Sequence, residues 1–404
     1  AEYNPFHNGH LYQLNEIKKL SKRSFVIVIM SGYFCQRGEP AIISPQTRTK
    51  IALEHGADLV LQIPTYASLG SAELFASTAT RLLAATGICS HIVFGSEKDQ
   101  LNNLNKIASL LIEKPEDMWK FIEEKLKEGL SYAKARENFV AKQLNTNLAS
   151  LLQESNQILA IEYLKAIKQY DLKLEPLLIP RIGDSSYLNE DLTASQTYTS
   201  AKAIRNKTLA LADEINFPYN LIDQLSSYVP IKALAKLSYD LSKDAFLSME
   251  KMSDLYYLAL EVSQLPKTRY MNKAIFNRLK REVRFSSDKY LAIDQLAENV
   301  KTKQYPKTRI NRALTNLLLN IREQTNFKPS YLHVLGFNRD GRYLLKRMRS
   351  SATLPIVNNF SDIAKSLNKD EQWQENLELR AARIWLNCAK QALDQVFDSP
   401  ILIR

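Results

Sequence analysis

Three short, continuous apolar runs constrain this chain more than any other feature: Phe25–Met30 (FVIVIM), Asp58–Ile63 (DLVLQI) and His91–Phe94 (HIVF). Strands that lack polar alternation are buried on both faces, as in a parallel sheet covered by helices on each side. Helical spacing fills the gaps between them. Leu11, Leu14 and Ile17 share one face, Ile51–Leu53 lies in a second helix, and Leu74, Phe75, Leu82 and Leu83 mark a third. This alternation predicts a doubly wound α/β sheet with ligands beyond the carboxyl ends of its strands. The chain opens on Ala1-Glu2-Tyr3-Asn4-Pro5, directly before a helix, so a few residues forming a first strand are expected to precede it. Leu177–Ile179 reads as a further strand, and residues 101–145 as a charged helical insertion. Beyond about Phe217 the pattern is helix-rich. The expected division is residues 1–215, carrying the sheet, and 216–404, a mainly helical domain.

Charge separates the two parts. Between Lys267 and Arg349 there are 20 Lys and Arg against 6 Asp and Glu, while the whole chain carries a net +11. The remaining residues therefore sum to −3, and all the excess positive charge sits in the C-terminal part. Such concentration points to a polyanion, because each phosphate contact releases condensed counterions. The three cysteines, Cys35, Cys89 and Cys388, stand far apart in no metal-binding spacing, which fits a reducing compartment. No apolar run approaches the length of a membrane span, and no secretory signal opens the chain, so a cytoplasmic location is expected.

The strongest local signal is His7-Asn8-Gly9-His10, an HxGH tetrad behind Asn4-Pro5-Phe6 and ahead of an amphipathic helix. A helix N-terminus is expected to offer unpaired N–H groups to phosphates. Gly9 removes a side chain where a ligand must approach, and the two imidazoles can donate to a pentacovalent α-phosphate. A second grip on the phosphates is expected at Thr199-Ser200-Ala201-Lys202-Ala203-Ile204-Arg205, from Ser200, Lys202 and Arg205. Gly95 follows a buried strand, Asn156 opens a helix, and Arg181 leaves a strand, so each lies on the expected ligand face. Arg37 and Glu39, in the loop after FVIVIM, are expected either to meet an acidic substrate or to pair with each other. There is no GxxxxGK[ST], GxGxxG or GxSxG, which excludes a P-loop and leaves no dinucleotide or serine-hydrolase signature.

At this point the strings AEYNPFHNGHLYQL, MSGYFCQRGEPAI, HGADLVLQIP, SAELFA, FGSE, SNQILAIEYLKA and PRIG can be taken together with the later HVLGFNRDGRYLLKRMR. In that order they resemble the bacterial tRNA(Met) cytidine acetate ligases, members of the HxGH nucleotidyltransferase-like superfamily with a Rossmann-like sheet. The resemblance implies activation of acetate with ATP, release of pyrophosphate, and acetylation of N4 of the wobble cytidine in elongator tRNA(Met). It implies an ATP-binding segment at Ala1, Glu2, Tyr3, Asn4, Pro5, Phe6, His7, Asn8, Gly9, His10, Leu11, Tyr12, Gln13 and Leu14. Further nucleotide contacts would fall on Gly95, Asn156 and Arg181. Lys202 stands where the family usually has threonine, so a point charge replaces a hydroxyl contact.

His7, His10, Lys202 and Arg205 are expected to bring positive charge to the phosphates, with Mg²⁺ bridging them. No zinc-deaminase motif and no acetyl-CoA signature occurs, in keeping with free acetate as donor. RNA is expected along Arg278, Lys280, Arg281 and Arg284, along Lys301, Lys303, Lys307, Arg309 and Arg312, and along Arg339, Arg342, Lys346 and Arg347. Tyr290, Tyr305, Phe337 and Tyr343 are interleaved as stacking surfaces. Two other readings stay open on the residues alone: a small-molecule adenylyltransferase of coenzyme biosynthesis, and a non-catalytic RNA-binding protein on a nucleotide-binding fold.

Overall fold

Each expected strand forms where its apolar run lies. In the computed structural model, which describes residues 1–403 apart from 22–23, 98–99, 183–196, 213, 215–216, 218, 266, 286–290, 324–326 and 369–370, β1 spans Ile27–Ser31 and β2 spans Leu59–Ile63. The two pair in parallel, Ile27 opposite Leu59 through Ser31 opposite Ile63. Helix α1, Asn8–Leu20, precedes β1, and α2, Pro45–Glu54, connects the strands. The start of α2 follows from its sequence: the Ser44 hydroxyl accepts from the Thr47 N–H, and Pro45 occupies the first turn, where its missing donor is harmless. Leu14 is the buried anchor of α1, with Leu11 and Ile17 packed against the same core.

Strands β3, His91–Ser96, and β4, Glu175–Pro180, form a separate parallel pair. Between them the expected insertion is helical, in Leu101–Glu113, Pro115–Lys127 and Tyr132–Gln143. With helix Ser155–Gln169 these cover β3 through a core of Phe94, Leu104, Ile107, Phe139 and Ile161.

The sheet departs from expectation in direction. Strand β5, Leu332–Phe337, comes from the far end of the chain and pairs antiparallel with β2, with a register shift at Val60/Leu61. β6, Ile356–Val357, and β7, Ile401–Leu402, then pair with β5 in parallel. The sheet is therefore mixed. An apolar run records that a strand is buried, not which way its neighbour runs. Helices dominate from Tyr219 to Cys388. The division expected at 215/216 lies outside the described residues, and the largest core draws on both sides of it, packing Leu61, Tyr66 and Phe75 with Leu314, Met348 and Trp385. No helix among the described residues is long and apolar enough to cross a membrane.

Asp58 locks the C-terminal strand and helix onto β1 and β2. Its carboxylate, 4 % exposed, accepts from the Val26 N–H at 2.7 Å, Lys18 Nζ at 2.5 Å and Asn338 Nδ2 at 3.0 Å. Helix Arg339–Ser351 starts there, and a Cβ on Gly341 would sit 2.0 Å from the Asp58 carbonyl oxygen, so only glycine fits. Removing this carboxylate strands a partly buried ammonium and a buried N–H. Asp58→Ala should lower stability by about 3 kcal/mol. Urea unfolding should show a lower midpoint at unchanged slope, whereas an unmoved midpoint would mean that the network contributes nothing.

Candidate active site

The HxGH tetrad forms a closed hydrogen-bonded knot at the start of α1. His7 is the N-cap: its Nδ1 accepts from the Gly9 N–H at 3.1 Å, while the His7 N–H donates to His10 Nδ1 at 3.3 Å. The rings stack with centroids 3.8 Å apart and 28° between planes. Gly9 is required for this, since a Cβ there would lie 2.9 Å from His7 Cε1. Tyr3 and Phe6 wall in the His10 ring, at 4.8 and 5.5 Å between centroids. With both Nδ1 atoms accepting, the proton of each neutral ring belongs on Nε2, and no described residue hydrogen-bonds either Nε2.

Two expectations are corrected here. The first-turn N–H groups are not open to a ligand: Asn8 donates to the Tyr228 carbonyl, Gly9 to His7 Nδ1, and His10 and Leu11 to the His7 carbonyl. Burial also disfavours the positive charge expected of the histidines. Burial pulls His7 down to about 3, with the Arg181 charge adding to the effect. His10 also sits well below the ordinary range through burial, His7 and Arg181. Both rings are thereby favoured in the neutral form, and the cation beside them is Arg181.

The distant motifs converge on this knot. Arg181 leaves β4 with its N–H on the Ser96 carbonyl at 2.9 Å, and its side chain flanks Gly95 at the end of β3. Asn156 donates to Glu97 Oε1 at 2.5 Å, leaving Glu97 Oε2 buried without a partner among the described residues. Sequence reasoning passed over Glu97, although it sits two residues beyond Gly95. The Ser200 hydroxyl caps helix Ala201–Leu211 through the Ala203 N–H, so it serves the helix. Asn8 Nδ2 reaches the carbonyls of Thr197 and Ser227, and Tyr12 meets Tyr198, which seats that segment against α1. Lys202 is half-buried in the first turn of the same helix.

Arg205 was expected to meet phosphate. Within the protein it donates to the Asn4 carbonyl at 2.8 Å and to Glu39 at 3.0 Å. Glu39 is thereby committed to Arg205 and does not pair with Arg37, which is exposed. A residue missed by sequence reasoning anchors the loop from below. Arg48, fully buried, donates to the carbonyls of Glu2 at 2.7 Å, Ser31 at 3.0 Å and Ile43 at 3.2 Å, and to that of Gly32. Asn4 Oδ1 accepts from the Ile42 N–H, and Ala1 lies along β1 through its amine on the Ile29 carbonyl and the Ser31 N–H on its own carbonyl.

The basic residues expected to meet RNA lie on three helices, with Lys301 and Lys303 in the turn ahead of Lys307–Leu318, where Lys301 pairs with Glu298 and Lys307 with Asp294. Arg278, Lys280, Arg281 and Arg284 are half-buried or exposed on Lys273–Phe285, with Lys280 paired to Glu261. Arg339, Arg342, Lys346 and Arg347 are all exposed on Arg339–Ser351, and Tyr343 with them. Tyr290 lies outside the described residues.

The neutral state of His7 has a pH consequence. An unfolded imidazole titrates near 6.5, and this one near 3, so below pH 6.5 the unfolded chain takes up a proton that the folded chain refuses. Stability from this group is complete above about pH 6.5 and is lost progressively as pH falls toward 3. His7→Gln should flatten the decline in urea midpoint between neutral and mildly acid buffers. An equally steep decline in the variant would place a charged or solvated ring at position 7.

A family model described as HIGH Nucleotidyl Transferase matches residues 1–398. The tRNA(Met) cytidine acetate ligase of Acetivibrio thermocellus is 36 % identical, over 96 % of this chain and 94 % of that one. The protein of the same name from a Thermoanaerobacter species is 37 % identical over 93 % and 92 %. Among solved structures, Thermotoga maritima TmcAL in its apo form superposes with a TM-score of 0.89 at 28 % identity, covering 100 % of this chain and 98 % of that one. The same protein bound to alpha-thio ATP gives 0.87. With the knot of imidazoles, the flanking Arg181 and near full-length likeness in both sequence and fold, the chain belongs to the tRNA(Met) cytidine acetate ligases within the HIGH nucleotidyltransferases.

Proposed function

We propose that this chain joins acetate to ATP, forming acetyl-adenylate and releasing pyrophosphate, and then acetylates N4 of the wobble cytidine of elongator tRNA(Met). The observation that carries this reading is the pair of stacked, neutral imidazoles whose Nε2–H groups are unclaimed by the described residues, with the Arg181 cation beside them. When a carboxylate oxygen attacks the α-phosphorus, charge builds on the phosphoryl oxygens. Preorganised neutral donors next to a fixed guanidinium suit that charge without needing to shed protons first. In the second step the cytosine amine attacks the acyl carbon, a C–N bond forms, the bond from carbon to the phosphate oxygen breaks, AMP leaves with that oxygen, and the amine nitrogen gives up one proton to solvent.

Asn156, Glu97 and Gly95 would hold the nucleoside end, Glu97 through its unpartnered Oε2. The carboxylates bordering the site are largely committed: Glu2 to the Gln36 N–H, Glu39 to Arg205, and one oxygen of Glu97 to Asn156. Mg²⁺ therefore fits as an ion held mainly by phosphate oxygens, where it supplies charge neutralisation. Residues 216–404 would carry the RNA, with Arg278, Arg281 and Arg284 and the exposed stripe of Arg339, Arg342, Lys346 and Arg347 meeting its backbone. The location implied by this substrate is the cytoplasm.

Pyrophosphate exchange into ATP tests the first step: exchange should require acetate and need no RNA. Mass analysis of nucleosides from tRNA(Met) incubated with the chain, ATP and acetate should then show N4-acetylcytidine. His10→Ala should lower exchange at least a hundredfold, the scale of losing an oxyanion donor, while tRNA affinity stays within about twofold. Exchange without acetate would refute acetate activation, and loss of RNA affinity in His10→Ala would refute the division of labour between the two regions.

A further inference from the structure

Three arginines gather where helix Lys307–Leu318 meets the turn ahead of helix Lys273–Phe285. Arg309 and Arg312 are one turn apart on a shared face of the first helix. Arg269 is fixed by its N–H on the Ile321 carbonyl at 3.1 Å and by the Thr268–Arg322 bridge beside it. The guanidinium carbons of Arg269 and Arg312 lie 5.1 and 5.3 Å from the centre of the same ring, that of Tyr270, and Arg309 stacks on Tyr305 at 5.1 Å.

The donors of these groups are not satisfied. Arg269, 2 % exposed, uses Nη2 on the carbonyls of Tyr66 and Leu69, which leaves Nε and Nη1 buried without partners. The Nε atoms of Arg309 and Arg312 are likewise buried and unpartnered. Among the described residues, no carboxylate forms an ion pair with any of the three. Burial disfavours the charge on Arg312, and Arg269 and Arg309 add repulsion. Like charges crowded together with unmet donors reduce stability, and an oxyanion would satisfy both the charge and the N–H groups. Arg269 also has a structural duty toward Tyr66 and Leu69. Among the described residues the Arg309 side chain makes no hydrogen bond, and that of Arg312 makes only a long one, to the Gln36 carbonyl at 3.4 Å.

The cluster adjoins the candidate active site through one loop. A Cβ on Gly38 would lie 2.3 Å from the Arg312 backbone nitrogen, and Thr315 Oγ1 donates to the Gly38 carbonyl at 2.7 Å. The next residue, Glu39, holds Arg205, which in turn holds Asn4. We propose that Arg269, Arg309 and Arg312, gathered around Tyr270 and Tyr305, form a seat for a phosphoryl oxyanion, and that its occupant is a phosphodiester of the RNA substrate. Planar guanidinium forks stacked on rings are pre-set for bidentate contact with a phosphate, and the loop at Gln36–Glu39 places that phosphate next to the nucleotide site. This inference rests on the RNA reading above and adds a defined anchoring point to it.

The test uses the intact chain, an Arg309→Gln/Arg312→Gln pair and an Arg309→Lys/Arg312→Lys pair. Affinity for an unmodified tRNA(Met) transcript is measured over a series of KCl concentrations. The glutamine pair should bind about tenfold more weakly, with the slope of log K on log [KCl] shallower by about one for the lost phosphate contact. The lysine pair should keep the slope while recovering only part of the affinity, since it lacks the fork. Unchanged affinity and slope in the glutamine pair would overturn the proposal. Should that pair fail to fold, the lysine pair decides: weakened binding at an unaltered slope supports the seat, and full affinity overturns it. A parallel arm follows the melting temperature in orthophosphate at constant ionic strength. Stabilisation of the unsubstituted chain alone, with RNA binding equal in all three proteins, would assign the seat to free phosphate and overturn the RNA occupant. Acetate-dependent exchange by the unsubstituted chain, run without RNA, tests the ligase reading separately, so its failure leaves the salt slopes interpretable.

Discussion

One buried guanidinium organises the region where chemistry is proposed. Arg48 rises from α2 into the carboxyl end of β1 and takes the carbonyls of Glu2, Ser31, Gly32 and Ile43. A carbonyl left bare in such a place is costly, and an ion with its donors only half met is costlier still. The arrangement is stable only when the first residues, the end of β1 and the loop before α2 all come together around it. The imidazole knot stands on that platform a few residues later, and Arg205 steadies it from the other side through Asn4. The position of the two imidazole rings is thus set by two arginines, Arg48 and Arg205.

Charge is divided with similar economy. The rings nearest the proposed reaction centre are kept neutral by burial, and their tautomers are set by backbone N–H groups on each Nδ1. A neutral imidazole donates a hydrogen bond without the desolvation penalty of an ion, and it cannot drift in charge with small changes of cellular pH. Positive charge is supplied instead by Arg181, carried on the neighbouring strand pair. The start of α1 therefore contributes the donors, and the end of β4, in the separate strand pair, the cation.

How much of this was legible in the sequence depended on range. The apolar runs placed β1, β2, β3 and β4 within a residue or two, although only β1 and β2 are buried on both faces, β3 alternating and β4 being largely half-buried. HxGH before an amphipathic pattern placed His7 and His10 at a helix start. That Arg181 lies against Gly95 and beside the histidines could be expected from the rule that ligands gather at strand ends. Pairings that close over long stretches of chain were not legible. Glu39 meets Arg205 across 166 residues and Arg48 meets Glu2 across 46, and no periodicity encodes such partners. The free N–H groups expected at the start of α1 were also lost to long-range contact, since Asn8 donates to Tyr228. Local pattern reports propensity and burial, while the choice among equally polar partners is made by tertiary packing.

The antiparallel seam between β2 and β5 bears on how such a chain is made. Leu59 pairs with Phe337. A polypeptide leaving the ribosome from its amino end exposes the edge of β2 until some 270 further residues have been synthesised. An uncovered apolar strand edge is a template for wrong partners, other nascent chains among them. Contacts of such wide separation also slow the search for the native arrangement. The helical segment packed on β3 and β4 has its own core and no such wait, so the order of synthesis favours an early, self-contained folding unit in the middle of the chain and a late closure of the sheet around it.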